Sequence, residues 1–233
     1  MESRFGTFSP VAKRRLSRSS IAVVGCGAIG SRTALSLARL GVKELRLIDW
    51  DVVEECNLET QAYTKKQVGT KKVEALAQLI GATGSPTLAV PIHSQLTKSS
   101  AAKLLAGADF AVDGLDNFQS RFALNAACRK LRLPLAFAAC ARADGMAALL
   151  VNKKNSPCLR CIFPKQPQDQ DCSVVGLLPA AADFASGLQV ALVASSLRPI
   201  QTEGLFYFNL ENPMLERVSI RDNQKCNACR GIK

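Results

Sequence analysis

Apolar positions in the first half of the chain change period in a regular order. SIAVV, Ser20 to Val24, is an unbroken apolar run of the kind a strand buried on both faces shows. Ala28 to Leu40 carry apolar residues at helical spacing, Gly41 stops the helix, and ELRLID, Glu44 to Asp49, alternates as a strand does. Strand, glycine turn, helix and strand make a β-α-β unit. The rhythm then continues. VGTKKVEALAQLIGA predicts a helix, TLAVPIH a strand, KSSAAKLLAGA a short helix and DFAVDGLDN a strand running into a polar turn. FQSRFALNAACRKLRL predicts a helix, PLAFAACA a strand, and GMAALLVN a further strand, antiparallel to the others. Alternation of this kind predicts an α/β fold: a Rossmann-like, doubly wound, mostly parallel sheet with an antiparallel C-terminal part.

From Pro157 no period survives. PCLRCIFPKQPQDQDCSVVGLLP is rich in proline, cysteine and polar residues and reads as a long functional loop. A helix near Asp183 to Leu197 follows, then a hairpin around Glu211 to Pro213, then KCNACRG. The expected organisation is a basic leader over 1–19 and a single unit over 20–233. Residues 20–151 form its nucleotide-binding part, and residues 152–233 carry the cysteines and the loop.

The chain has 233 residues, 48% of them hydrophobic, which suffices for a real core. The basic leader has no apolar run that stops at a small-residue cleavage site, so no secretory signal is read. The segment AAADFASGLQVALVASSL is interrupted by Asp183 and Gln189, which favours a buried helix over a bilayer span. The expectation is a soluble, cytoplasmic protein with no membrane partner. Its nine cysteines then point to metal ligation or catalysis rather than to disulfides. The formal charge of +11 attracts polyanions, acidic proteins and phosphorylated ligands alike, and charge alone does not choose among them.

Gly25, Gly27 and Gly30 form G-x-G-x-x-G directly after a buried strand, with Ala28 at the start of the helix. Residues without side chains let phosphate oxygens reach the backbone and the helix N-terminal N–H groups. Asp49 closes the second strand, where a carboxylate accepts hydrogen bonds from a ribose diol. Asp51 follows two residues later on the same side of an extended chain, and CNLETQ adds Asn57 and Gln61 beside the phosphate site. Cys158-x-x-Cys161 and Cys226-x-x-Cys229 can present four thiolates tetrahedrally to Zn²⁺, a closed and therefore structural site; an iron–sulfur cluster or redox dithiols are the alternatives. Cys26, Cys56, Cys128 and Cys140 read as buried small residues, and His93 as a packing residue at a strand end.

In these motifs the chain resembles the ThiF/MoeB/HesA family of sulfur-carrier-protein adenylyltransferases, relatives of the ubiquitin-activating enzymes. LIDWDVVEECNLETQ is similar to the family pattern D-x-D-x-V-x-x-S-N-L-x-R-Q, VGTKKVEAL to its G-x-x-K-[VA] helix start, and VDGLDNFQSRFALN to D-x-x-D-N-x-x-x-R-x-x-L-N. The resemblance implies that Lys72, rather than Lys71, meets the phosphates of ATP. It implies that Asp116 holds Mg²⁺, with Asn117, Arg121 and Asn125 around the site, and that the four paired cysteines bind zinc. It also implies that Cys172 occupies the place of a cysteine that several relatives use covalently, although Asp169 and Asp171 nearby would raise its pKa.

The implied reaction is adenylation of the C-terminal carboxylate of a small β-grasp sulfur carrier protein ending in Gly-Gly. Such a carboxylate is ionised at neutral pH and needs no general base, in keeping with a chain that has one histidine. A separate sulfur donor, of the cysteine desulfurase or rhodanese type, and a homodimer complete the implied partners. The match departs at Thr60, where the family has arginine and where Lys65 or Lys66 could reach in. It departs again in the leader, where Arg4, Arg14 or Arg15 could stand in for a family arginine. Two further readings remain: a superfamily enzyme that adenylates a carboxylate on a tRNA nucleoside, and a non-catalytic nucleotide-binding scaffold. Nucleic acid ranks behind the carrier protein as a partner.

Overall fold

The computed structural model describes residues 10–154, 156–167, 176–196, 204–220, 226, 228 and 229. Its strands are β1 (Ser20–Val24), β2 (Glu44–Asp49), β3 (Leu88–His93), β4 (Phe110–Asp113), β5 (Leu135–Ala141), β6 (Asp144–Leu150), β7 (Leu205–Asn209) and β8 (Met214–Val218). They form one eight-stranded sheet in the order β3-β2-β1-β4-β5-β6-β7-β8. β3, β2, β1, β4 and β5 run parallel, whereas β6, β7 and β8 are each antiparallel to the strand before. The helices are α1 (Pro10–Leu16), α2 (Ala28–Arg39), α3 (Lys72–Ala82), α4 (Ala101–Leu105), α5 (Phe118–Leu131), α6 (Leu159–Ile162) and α7 (Pro179–Ser196). The strands and helices expected from periodicity are present. α7 starts about a turn earlier than its apolar pattern suggested, with proline at its first position, where the missing N–H costs nothing.

Two hydrophobic clusters cover the two faces of the sheet. Leu16, Leu37, Leu76, Val193 and Phe208 belong to one, which gathers α1, α2, α3 and α7. Leu105, Phe122, Leu124, Phe137 and Leu159 belong to the other, with α4, α5 and α6. α1 has no counterpart in the sequence reading of the leader; it is basic on its exposed side and buries Ala12 and Leu16 in the core. Among the described residues no helix is long and apolar enough to cross a membrane.

Chain order reverses between β1 and β4, so the helices that follow these two strands leave on opposite faces, and a crevice opens beyond the strand ends. One buried polar residue holds the sheet beside that crevice. Gln189 of α7, fully buried, donates through Nε2 to the carbonyls of Asp113 (2.9 Å), at the end of β4, and Ala136 (2.8 Å), near the start of β5. Its Oε1 accepts from Thr33 Oγ1 on α2 at 2.8 Å. Gln189→Leu strips partners from two main-chain carbonyls. At about 1–3 kcal/mol for a buried unsatisfied group, it is expected to lower unfolding stability by roughly 2–4 kcal/mol. Urea or thermal unfolding measures this, and an unchanged midpoint would show that water replaces the amide.

Candidate active site

A cavity of about 1080 Å³ fills the crevice. At one end lie Gly25, Gly27, Ala28, Asp49 and Trp50; at the other lie Asp144, Gly145, Gly176, Leu177 and Tyr207. A smaller cavity of about 570 Å³ adjoins it, lined by Trp50, Asp51, Asn57, Gln61, Lys72 and Asp116 among others.

The glycine loop owes its shape to two close approaches. Gly25 turns the chain at φ +86°, and a Cβ there would overlap the carbonyl of Gly114, the residue after β4. A Cβ on Gly30 would overlap the Gly25 carbonyl, and one on Gly114 would strike the same oxygen. Gly114 was not singled out from the sequence, although it is half of this contact. Gly27 differs from the others. A Cβ there would meet nothing nearer than the Gly114 oxygen at 4.0 Å, so packing does not require glycine. What the bare Cα leaves is open space against α2, which begins at Ala28 without any side-chain cap. Its first N–H groups are free for an anion in that space.

Asp49, nearly buried, is more engaged than a ribose-reading acid needs to be. Its Oδ2 accepts from Cys26 N–H at 2.6 Å and its Oδ1 from Asp51 N–H at 2.8 Å, so the carboxylate braces the glycine loop while its remaining lone pairs stay available. Tyr63 adds a tie that the sequence did not reveal: its hydroxyl donates to Cys26 O at 2.7 Å and lies 3.3 Å from Lys72 O. Lys72 Nζ sits 2.9 Å from Asp51 Oδ2 with its side chain almost buried, and it lines both cavities. Lys71 is exposed and pairs instead with Glu74 at 3.2 Å.

On the other side of the crevice Asp116 is exposed, lines both cavities, and accepts from Asn117 Nδ2 at 3.0 Å. Asn117 also caps α5 by accepting Ser120 N–H at 2.8 Å. Arg121 is buried, with its guanidinium donating through Nε and Nη2 to the Leu115 carbonyl at 3.1 and 2.5 Å and lying over the Phe118 and Phe137 rings. Asp113 is 3.8 Å from its Nε. Burial pushes the Asp113 carboxyl up to about 6 despite that guanidinium, and its Oδ2 has no hydrogen-bond partner. Gln61 Oε1 is also buried without a partner, at the cavity wall. Asn57 caps the 3₁₀ turn Glu55–Glu59 by accepting Glu54 N–H at 3.0 Å.

Several expectations need correction. Asn125 is not at the nucleotide crevice; its Oδ1 accepts Leu159 N–H at 3.0 Å, anchoring the turn that follows Cys158. Lys65 and Lys66 do not reach in: they are exposed and outside the cavity lining, where Lys72 and Arg121 are the cations among the described residues. The cation beside Thr60 is Arg32, on α2. It donates to the Thr60 carbonyl and, at 3.0 Å, to Ala28 O, and pairs with Asp183 at 2.5 Å. Cys56 is exposed and Cys140 half-buried, and both line the cavity, because each lies beyond the packed part of its strand or turn. Cys26 and Cys128 are buried as expected, and burial raises both thiols. His93 ends β3 exposed, its Nε2 at 2.8 Å from the Trp50 carbonyl. Arg14 and Arg15 lie on α1 and do not line the cavity. Arg4, Asp169, Asp171 and Cys172 fall outside the described residues.

Cys158, Cys161, Cys226 and Cys229 come together although the two pairs are far apart in sequence. Their sulfurs all lie within 4.8 Å of one another. Separations of 3.8 Å (Cys158–Cys226), 3.5 Å (Cys161–Cys229) and 3.3 Å (Cys158–Cys229) compare with about 3.8 Å for the edge of a tetrahedron with 2.3 Å metal–sulfur bonds. The group could hold a metal ion. Burial pushes the Cys158 thiol up to about 11, so a cation is what would make it a thiolate here.

Comparison with known proteins gives one consistent answer. The ThiF family model matches residues 2–229. The chain is 32% identical over 230 residues to the SAMP-activating enzyme E1 of Haloferax volcanii, covering 94% of this chain and 83% of that one. It is 30% identical to the sulfur carrier protein adenylyltransferase of Thermus thermophilus, covering 94% and 85%. It is 33% identical to the adenylyltransferase and sulfurtransferase MOCS3 of Danio rerio, covering 92% of this chain and 48% of that protein, so it spans about half the length of the MOCS3 relatives. Among solved structures, E. coli MccB with AMPCPP and MccA has a TM-score of 0.82 at 21% identity, covering 94% of this chain and 69% of that one; it shows a shared fold.

The two kinds of glycine separate experimentally. Gly27→Ala is expected to leave the unfolding midpoint nearly unchanged and to weaken ATP binding about tenfold or more, whereas Gly30→Ala destabilises the fold itself. Trp50 is the one tryptophan of the chain and lines the cavity, so its fluorescence reports binding directly. Equal effects of the two substitutions on stability would refute the distinction.

Proposed function

We infer that this chain, which belongs to the ThiF family, is an ATP-dependent adenylyltransferase. It activates the C-terminal glycine carboxylate of a small ubiquitin-like sulfur carrier protein as an acyl-adenylate and releases pyrophosphate. The observation that carries this reading is the continuity of the cavity. At about 1080 Å³ it exceeds the roughly 300–1,000 Å³ of ordinary small-molecule sites, and it runs from the glycine loop to the edge formed by Asp144, Gly176 and Tyr207. A nucleotide at the first end leaves room for an extended peptide tail entering from the second. The relatives named for SAMP activation and for sulfur-carrier adenylylation support the same substrate class.

In this reading the open space at Gly27 and the start of α2 receive phosphate, while Gly25 and Gly30 set the turn. Asp49 and Asp51 face the ribose side, and Asn57 and Gln61 form the wall beside them, with the unpartnered Gln61 Oε1 as an acceptor. Lys72 releases Asp51 to neutralise phosphate charge. Arg121 holds the Leu115 carbonyl and so fixes the turn that presents Asp116 and Asn117. The exposed Asp116, oriented by Asn117, would hold Mg²⁺, which supplies charge neutralisation at the phosphates when bound. The tail carboxylate, already ionised, attacks the α-phosphorus in line. The α-phosphorus–oxygen bond to the leaving group breaks and pyrophosphate departs with that electron pair. Catalysis is then positioning and charge stabilisation, with no proton to be removed.

The four clustered cysteines hold structural zinc, fastening Cys226 and Cys229 to the turn after Cys158. The acyl-adenylate goes on to a separate sulfur donor of the cysteine desulfurase or rhodanese type, directly or through Cys172. A homodimer acting in the cytoplasm completes the proposal.

ATP–pyrophosphate exchange that depends on a carrier ending in Gly-Gly tests the reaction. Asp116→Ala should lower it at least about 100-fold, and exchange that persists in the variant or without carrier would sink the assignment. Thr60→Arg should raise the rate if a phosphate contact has been lost at that position; an unchanged rate would mean that the existing cations suffice. For the metal, elemental analysis should find about one zinc per chain. Removing it with a chelator should lower the unfolding midpoint. A metal-free protein of equal stability would rule zinc out as a structural element.

A further inference from the structure

Charge in this chain is segregated along the strand axis. Asp49, Asp51, Asp116 and Asp144 line the crevice at one edge of the sheet. The opposite edge, where β1 and β2 begin, is cationic. Lys13 and Arg14 on α1, Arg18 in the turn into β1, Arg39 at the end of α2 and Lys43 just before β2 are all exposed. They form one patch, because Lys43 N–H donates to Leu16 O at 3.2 Å and Glu44 N–H to Ser19 O at 3.2 Å, so the two segments run side by side. The acids beside them are already engaged: Glu44 accepts from Ser20 Oγ at 2.7 Å, and Asp109 accepts from Ser20 N–H at 2.8 Å. The ion pairs among the described residues, Arg32–Asp183, Lys71–Glu74, Lys72–Asp51 and Arg121–Asp113, leave these five cations untouched.

We propose that this edge docks the phosphodiester backbone of a double-helical nucleic acid. The make-up of the patch separates that occupant from its rivals. A protein interface has an apolar or aromatic centre poor in lysine, and a membrane-surface helix needs an apolar face to immerse. α1 spends Ala12 and Leu16 on the core and leaves Val11, 55% exposed, as its outward apolar residue. Single-strand binders interleave aromatic rings for base stacking, but of the exposed aromatics among the described residues Trp50 lines the crevice and Phe184, on α7, packs its ring 4.7 Å from that of Phe208. What remains among the described residues is a set of long, solvated cations that outnumber the exposed apolar residues beside them, Val11 on α1 and Leu88, whose N–H donates to Lys43 O at 3.0 Å; such a set suits regularly spaced phosphates. A duplex held there leaves the crevice open at the far edge.

Fluorescence anisotropy with a labelled RNA hairpin, and with a DNA duplex in parallel, between about 50 and 200 mM salt tests the proposal. The quadruple variant K13E/R18E/R39E/K43E is expected to bind at least about tenfold more weakly and to lose roughly three to four from the log–log salt slope, about 0.9 for each phosphate contact. A control that reverses Lys65, Lys66 and Lys98, three exposed lysines outside both this patch and the cavity lining, should keep both affinity and slope. No binding of either duplex at the lowest salt, or equal losses in the two variants, overturns the proposal. So does equally tight binding of phosphatidylglycerol vesicles or of polyglutamate, which would point to a membrane or an acidic protein. If the glutamate variant does not fold, the four glutamine substitutions are read in the same way, with half the change in charge.

Discussion

Gly25, Gly30 and Gly114 bring the turn after β1 and the turn after β4 into main-chain contact, closer than any side chain would permit. Most of the crevice follows from that approach. It sets the start of α2 against the end of β4, so the free N–H groups of one helix face the acid-bearing turn that opens the next. Asp49 reinforces the arrangement by accepting the Cys26 N–H, and Tyr63 continues it by reaching from the Cys26 carbonyl toward that of Lys72. Glycine loop, acid strand and lysine helix are thereby one mechanical unit, which suits the proposed reaction, catalysed by positioning rather than by proton transfer.

Buried and half-buried polar side chains carry the longer connections. Gln189 joins α7 to the end of β4 and the start of β5, Arg32 joins α2 to the Thr60 segment and to Asp183, and Arg121, lying over two aromatic rings, ties the Leu115 carbonyl. Each is a specific donor set aimed at main-chain oxygens, where an apolar residue of the same size would leave those oxygens unpaired. Arg121 and Lys72 thus have structural partners as well as a place at the cavity wall. Asp113, buried beside Arg121 with one oxygen unpartnered, is the least satisfied group of this set.

The cysteine cluster adds a second constraint that is independent of the crevice. It draws the C-terminal pair back to the turn after Cys158, and Asn125 of α5 holds that turn through the Leu159 N–H. The same helix therefore presents Asp116 and Asn117 at its N-terminal end and steadies the cysteine site further along.

The sequence by itself determined the alternation of strands and helices, the glycine turn, the acid at the end of β2 and the pairing of cysteines, because each of these depends on local spacing. It also separated Lys72 from Lys71 by motif, and the structure places Lys72 in the cavity with Asp51 while Lys71 pairs with Glu74. Tertiary structure decided what depends on contacts between distant segments. Gly114 proved to be the other half of the glycine contact, Asn125 went to the cysteine turn rather than to the crevice, Cys56 and Cys140 line the cavity, and Arg32 rather than Lys65 or Lys66 stands behind Thr60. Local periodicity records which face of an element is buried. It does not record which neighbour a buried polar group will meet, because that partner is chosen by the order of strands in the sheet and the side on which each helix crosses.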